Sequence, residues 1–108
     1  MAIIGIAQRK KIDVSVTGAG TVALVSGVAG ECIQVLSMIL TSDLDANVKI
    51  QSASTDLTGT LYLAARGGFA LPHQPFFLYS TEAGEDLNLY HSATGNFGGS
   101  IVYIQGKP

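Results

Sequence analysis

Short runs of β-forming residues, each closed by Gly, Asn, Asp or Pro, follow one another through almost the whole chain. That succession constrains the fold more than any other feature, because strands alternate in side-chain direction and tight turns need residues tolerant of unusual backbone angles. Ile12, Val14 and Val16 alternate with Asp13, Ser15 and Thr17, the period of a half-buried strand, and Gly18-Ala19-Gly20 ends it. Residues 21–26 form a second run. Val48 and Ile50 oppose Lys49 and Gln51. Leu57, Gly59, Leu61 and Leu63 oppose Thr58, Thr60 and Tyr62. Residues 69–71 stop at Pro72, residues 76–80 form another run, Leu87 and Leu89 oppose Asp86, Asn88 and Tyr90, and residues 100–105 close the series. Turns are expected at 42–47, 66–68, 82–85 and 96–99, a polar loop at 52–56, and an irregular stretch at 73–75, where Pro72 and Pro75 deny ladder donors.

Residues 31–41 are the longest apolar stretch. Cys32, Val35, Leu36, Ile39 and Leu40 fit helical spacing, but Ile33 and Met38 fall off that stripe and no Ser, Thr, Asp or Asn caps the start. A strand buried on both faces explains the same pattern, and with strands on either side the stretch is read as one. The expected fold is all-β: a single-domain, jelly-roll-like β-sandwich of about eight or nine short antiparallel strands, whose spacing of about ten residues suits a sandwich rather than βαβ units. Residues 1–11 are read as an N-terminal arm or first edge strand and residues 12–108 as the sandwich. A chain of 108 residues fits one domain.

Charge is scarce. Charged residues make up 13% of the chain against 47% apolar, where an ordinary soluble domain carries about 25% charged. A small domain has little interior for so much apolar surface, so part of it is expected to lie against another copy or another protein. With a net charge of −2 and a single cationic cluster, Arg9-Lys10-Lys11, nucleic acid is not an expected partner. No run approaches the roughly 18 apolar residues of a membrane-spanning helix, and the apolar start, residues 1–7, is too short for a signal peptide and is followed rather than preceded by its charges. The lone Cys32 has no intrachain partner and sits in an apolar run, as an inert buried thiol does.

Few residues invite chemistry. Asp43, Asp45 and Asn47 open like a calcium loop, but the sixth and twelfth positions hold Val48 and Ser54 where that loop needs Gly and Glu, so these residues are expected to accept backbone bonds at a turn. His73 and His91 lack metal-ligand spacing with Cys32, and His91 is expected to be partly buried and satisfied. Glu82, Glu85 and Asp86 share one turn, which suits a solvated loop tip rather than carboxylates facing across a cleft. The glycine pairs lack the following helix of a phosphate cradle and are read as hairpin and loop residues. No catalytic residue, cofactor or metal is expected. Phe76-Phe77-Leu78-Tyr79 is apolar on both strand faces, so one face needs a cover: self-association through Phe76, Phe77 and Tyr79, or burial within the sandwich.

From Gly30 onward the chain resembles the small all-β virion proteins of tailed bacteriophages, in particular head decoration (capsid-cementing) proteins. The residues carrying the resemblance are Gly30-Glu31-Cys32-Ile33, Val35-Leu36-Ser37, Leu57-Thr58-Gly59, Leu63-Ala64-Ala65-Arg66-Gly67-Gly68, Leu71-Pro72, Thr81, Ala83-Gly84-Glu85, Leu87-Asn88-Leu89 and Gly98-Gly99. The resemblance implies a non-enzymatic structural protein, made in the host cytoplasm and seated on the outside of a capsid as a homotrimer, with the major capsid protein and other copies of itself as partners. Within that picture Ile3, Ile4 and Ile6 add to a neighbour's sheet while Arg9, Lys10 and Lys11 meet an acidic shell. A tail or receptor-binding component and a small carbohydrate-binding module are the rival readings; the absence of Trp counts against the last.

Overall fold

Alternation of buried and exposed residues, rather than any helical stripe, organises the chain in the computed structural model, which describes residues 9–17, 20–72, 77–92 and 95–107. Those residues form ten strands: β1 (Lys10–Thr17), β2 (Gly20–Val25), β3 (Cys32–Ser42), β4 (Ala46–Ser52), β5 (Thr55–Asp56), β6 (Leu61–Leu63), β7 (Gly68–Leu71), β8 (Tyr79–Ser80), β9 (Leu87–His91) and β10 (Asn96–Gly106). The count exceeds the expected one because the polar loop at 52–56 contains the two-residue β5, folded back on β4 through Gln51↔Asp56 and Ser52↔Thr55.

Two five-stranded antiparallel sheets result. One runs β1-β10-β3-β7, with β8 also beside β3; the other runs β2-β9-β4-β5, with β6 also beside β4. First strand lies beside last and second beside next-to-last, as when a long hairpin is rolled over on itself. This is the jelly-roll order. Val14, Val35, Met38, Leu40 and Ile101 of the first sheet face Val48, Ile50, Leu87 and Leu89 of the second, and together they form the core.

The ambiguous stretch is strand β3, and its first five residues are all buried. Between Val102 and Tyr103 the β10–β3 register slips, so that Leu36 has no partner on β10. Such a bulge shifts the inward-facing set by one residue, which is why both Val35 and Met38 reach the core and why the stretch imitates a helical stripe.

Three further segments depart from expectation; in the run expected at 76–80, residues 77 and 78 precede the two-residue β8 rather than belonging to it. Residues 96–99 are not a turn but the beginning of the eleven-residue β10. Gly99 pairs with Val14 on one side and Leu40 on the other, at a φ of 149°. A Cβ there would overlap the carbonyl oxygen of Ile39 and lie 2.8 Å from its carbon. Its glycine answers to a neighbouring strand, not to a turn. Residues 57–60 leave the ladder, because Leu57 and Thr58 both donate their amides to Ile50 O, at 2.8 and 3.3 Å, which bends the chain before β6.

Candidate interaction surfaces

The outer faces of the two sheets differ in chemistry, and the difference follows from which residues alternate away from the core. On the first sheet, β3 turns Ser37, Ile39 and Thr41 outward. Ile39 stands opposite Ser100 of β10 and Ala70 of β7, and Ser37 opposite Val102. A shallow groove of about 390 Å³ crosses this face, with walls that include Ile39, Leu71, Pro72 and Val102 and no charged residue. Ile39 is 50% exposed, a large β-branched side chain left in water. Among the described residues, charge flanks the groove along the edge strand β1, where Lys11 and Asp13 pair at 3.0 Å and remain mostly solvated, and past Thr41, where Asp43 and Arg66 line a second depression with Ser15 and Gly98.

The second sheet's outer face is polar and aromatic. Asn47, Lys49 and Gln51 of β4 point outward, flanked by Tyr62 of β6 and by Tyr90 and Asn88 of β9. Tyr62 is 79% exposed. Asp56 accepts from Gln51 Nε2 at 2.8 Å and Lys49 Nζ at 3.2 Å. These bonds, Gln51's first, hold its carboxyl below the ordinary value of 3.8.

Several residues singled out by sequence prove structural. Asp43 Oδ1 accepts the amide of Asn96 at 2.7 Å, and Asp45 Oδ1 that of Ala65 at 2.7 Å, so the aspartates tie loops together as turn-type acceptors. Among the described residues no group of three or more His, Cys, Asp or Glu is placed to hold a metal. His91 is fully buried, not partly, with its ring 4.4 Å from that of Phe97; His73 lies outside the described residues. Cys32 is buried at the start of β3, and burial, then the nearby Glu82 charge, pushes its thiol above the ordinary 9.0.

The acidic turn is not a freely solvated tip. Buried Ser52 donates to Glu85 Oε1 at 2.5 Å and accepts the amide of Glu82 at 3.0 Å. Asp86 Oδ1 accepts the amide of Gly27 at 2.5 Å, and Thr81 Oγ1 accepts that of Ile33 at 2.9 Å. The turn thereby latches β4 and the loop entering β3, two elements far apart in sequence. A local reading of three acids in a loop holds no sign of those distant donors.

Of the expected interface residues, Ile3, Ile4, Ile6 and Phe76 lie outside the described residues. Arg9 is exposed just before β1, and Lys10 and Lys11 are exposed on it. Tyr79 is half-buried and pairs with Val35 through β8, with Phe77 half-buried before it. The apolar outer face around Ile39 was missed. Its signal was present in the alternation of Ser37, Ile39 and Thr41, but masked by the apolar residues around it.

No family model matches the chain, and no curated protein sequence is similar to it. Among solved structures, a Bacillus chain from work described as "Bacillus endospore appendages form a novel family of disulfide-linked pili" is similar in fold. The similarity covers 99% of this chain and 96% of that one, with a TM-score of 0.55 and 11% sequence identity. At that identity the likeness is one of fold.

Proposed function

We propose that this protein is a non-enzymatic structural subunit of a repeating external assembly, and more finely that it decorates and stabilises the outside of a phage head as a homotrimer. The observation that carries the reading is the charge-free groove on the outer face of the β1-β10-β3-β7 sheet, beside the exposed Ile39. Apolar surface left in water on so small a domain gains free energy when covered, and an uncharged groove can seat a different patch of the next copy, the head-to-tail contact that closes a three-fold ring. Its occupant in this reading is a second copy. Further contacts come from Arg9, exposed just before β1, and from Lys10 and Lys11, exposed on it, which approach an acidic shell. Each copy then bridges capsid subunits, and binding the assembled shell but not its dissociated parts stabilises the shell by mass action.

The fold likeness to an endospore appendage chain supports the coarser half, an external structural subunit, and favours one second reading: a subunit of a surface filament. Co-sedimentation with expanded phage heads tests the finer half. Saturable binding at hundreds of copies per particle is the expected result. Binding no better than that of an unrelated β domain overturns head decoration.

A further inference from the structure

The second sheet's outer face has a composition that assembly through the first does not use. Tyr62, Asn47 and Ser92 form a row across it: Asn47 is in register with Tyr62, and the backbone oxygen and nitrogen of Asn47 bond the amide and hydroxyl of Ser92, each at 3.0 Å. With strands about 4.8 Å apart, the row spans about 10 Å. It borders an open depression of about 510 Å³, walled also by Asp45, whose carboxylate is fixed by the amide of Ala65. Tyr90 stands on the other side of β4, opposite Lys49.

We propose that this face binds a neutral oligosaccharide, with Tyr62 as the stacking platform. A tyrosine ring offers rigid apolar area at little entropic cost together with a polar tip, which matches a pyranose: one face of C–H groups and a rim of hydroxyls. The Asn47 amide both donates and accepts, the Ser92 hydroxyl does likewise, and the Asp45 carboxylate accepts, which are the functions that ring hydroxyls need. Neutral sugars are favoured over charged ones because the Lys49–Asp56 pair, 3.2 Å apart, cancels the cation, while Asp45 repels polyanions. The depression is shallow and lacks the deep apolar pocket that anchors a peptide side chain. The site lies on the sheet opposite the assembly face and does not depend on that reading.

The test is an amide NMR titration of the isotope-labelled protein with cellotriose and with tri-N-acetylchitotriose. Saturable shifts confined to β4, β6 and β9 are expected, with affinity of about 1 mM. Tyr62→Ala, at an exposed position that does not support the core, weakens binding about tenfold, and Tyr62→Phe, which keeps the ring, restores most of it. No saturable shift with either sugar, or shifts unchanged by Tyr62→Ala, overturns the proposal.

Discussion

Adjacent glycines in β10 are predicted to respond oppositely to alanine. At Gly99 the φ of 149° disfavours any L side chain, a strain of about 1–3 kcal/mol. The new methyl group also overlaps the backbone of Ile39. That neighbour cannot rotate away, since it lies within the β10–β3 ladder, and forcing strands apart in a packed sheet costs about 1–3 kcal/mol more. A weakened ladder bond adds about 1 kcal/mol. Gly99→Ala should therefore cost about 3–7 kcal/mol, a large share of the roughly 5–15 kcal/mol that holds a domain together. At Gly98 a Cβ meets only Thr41 Oγ1 at 3.7 Å and Val14 O at 3.8 Å. Gly98→Ala removes unfolded-state freedom instead and should be neutral or stabilising by up to about 1 kcal/mol. Urea unfolding followed by far-ultraviolet circular dichroism, at one protein concentration, measures both. A Gly99→Ala midpoint equal to that of Gly98→Ala would refute the close approach of β10 to β3.

Other outcomes follow from the same contacts. Ser52→Ala strips Glu85 and the Glu82 amide of their shared partner and should cost about 2 kcal/mol in the same urea assay. Cys32 keeps its proton more tightly folded than unfolded. Its contribution is therefore complete below the ordinary 9.0 and declines as pH rises beyond it, so stability of the wild type should fall faster above that pH than that of Cys32→Ala. Asp56 titrates below 3.8 in the folded state, so its contribution is present above that pH and lost as the solution is acidified; in an NMR titration, Gln51→Ala should move its midpoint back up. Ile39→Lys places a charge on the apolar face and should weaken self-association in sedimentation velocity while leaving the circular dichroism spectrum unchanged.

Much of the sandwich is legible from local pattern, because a strand with one buried face must alternate. Val14, Val48, Ile50, Leu87 and Leu89 all face the core as their spacing indicates. What escaped the sequence is set by partners distant along the chain. The Gly98-Gly99 pair looks like a turn until the backbone of Ile39 is placed beside it. Leu57 looks like a strand residue until its amide finds Ile50 O, and Glu85 looks solvated until Ser52 is beneath it. The surfaces escaped for the same reason. Tyr62, Asn47 and Ser92 come from three segments, and only strand order puts them in one row.

The most direct test of assembly through the first sheet is the mass of the purified protein by light scattering over a range of concentrations. The account predicts a discrete oligomer near three times 11.2 kDa, shifting toward monomer in Ile39→Lys. A wild-type protein that stays monomeric at the highest concentration reached would contradict it.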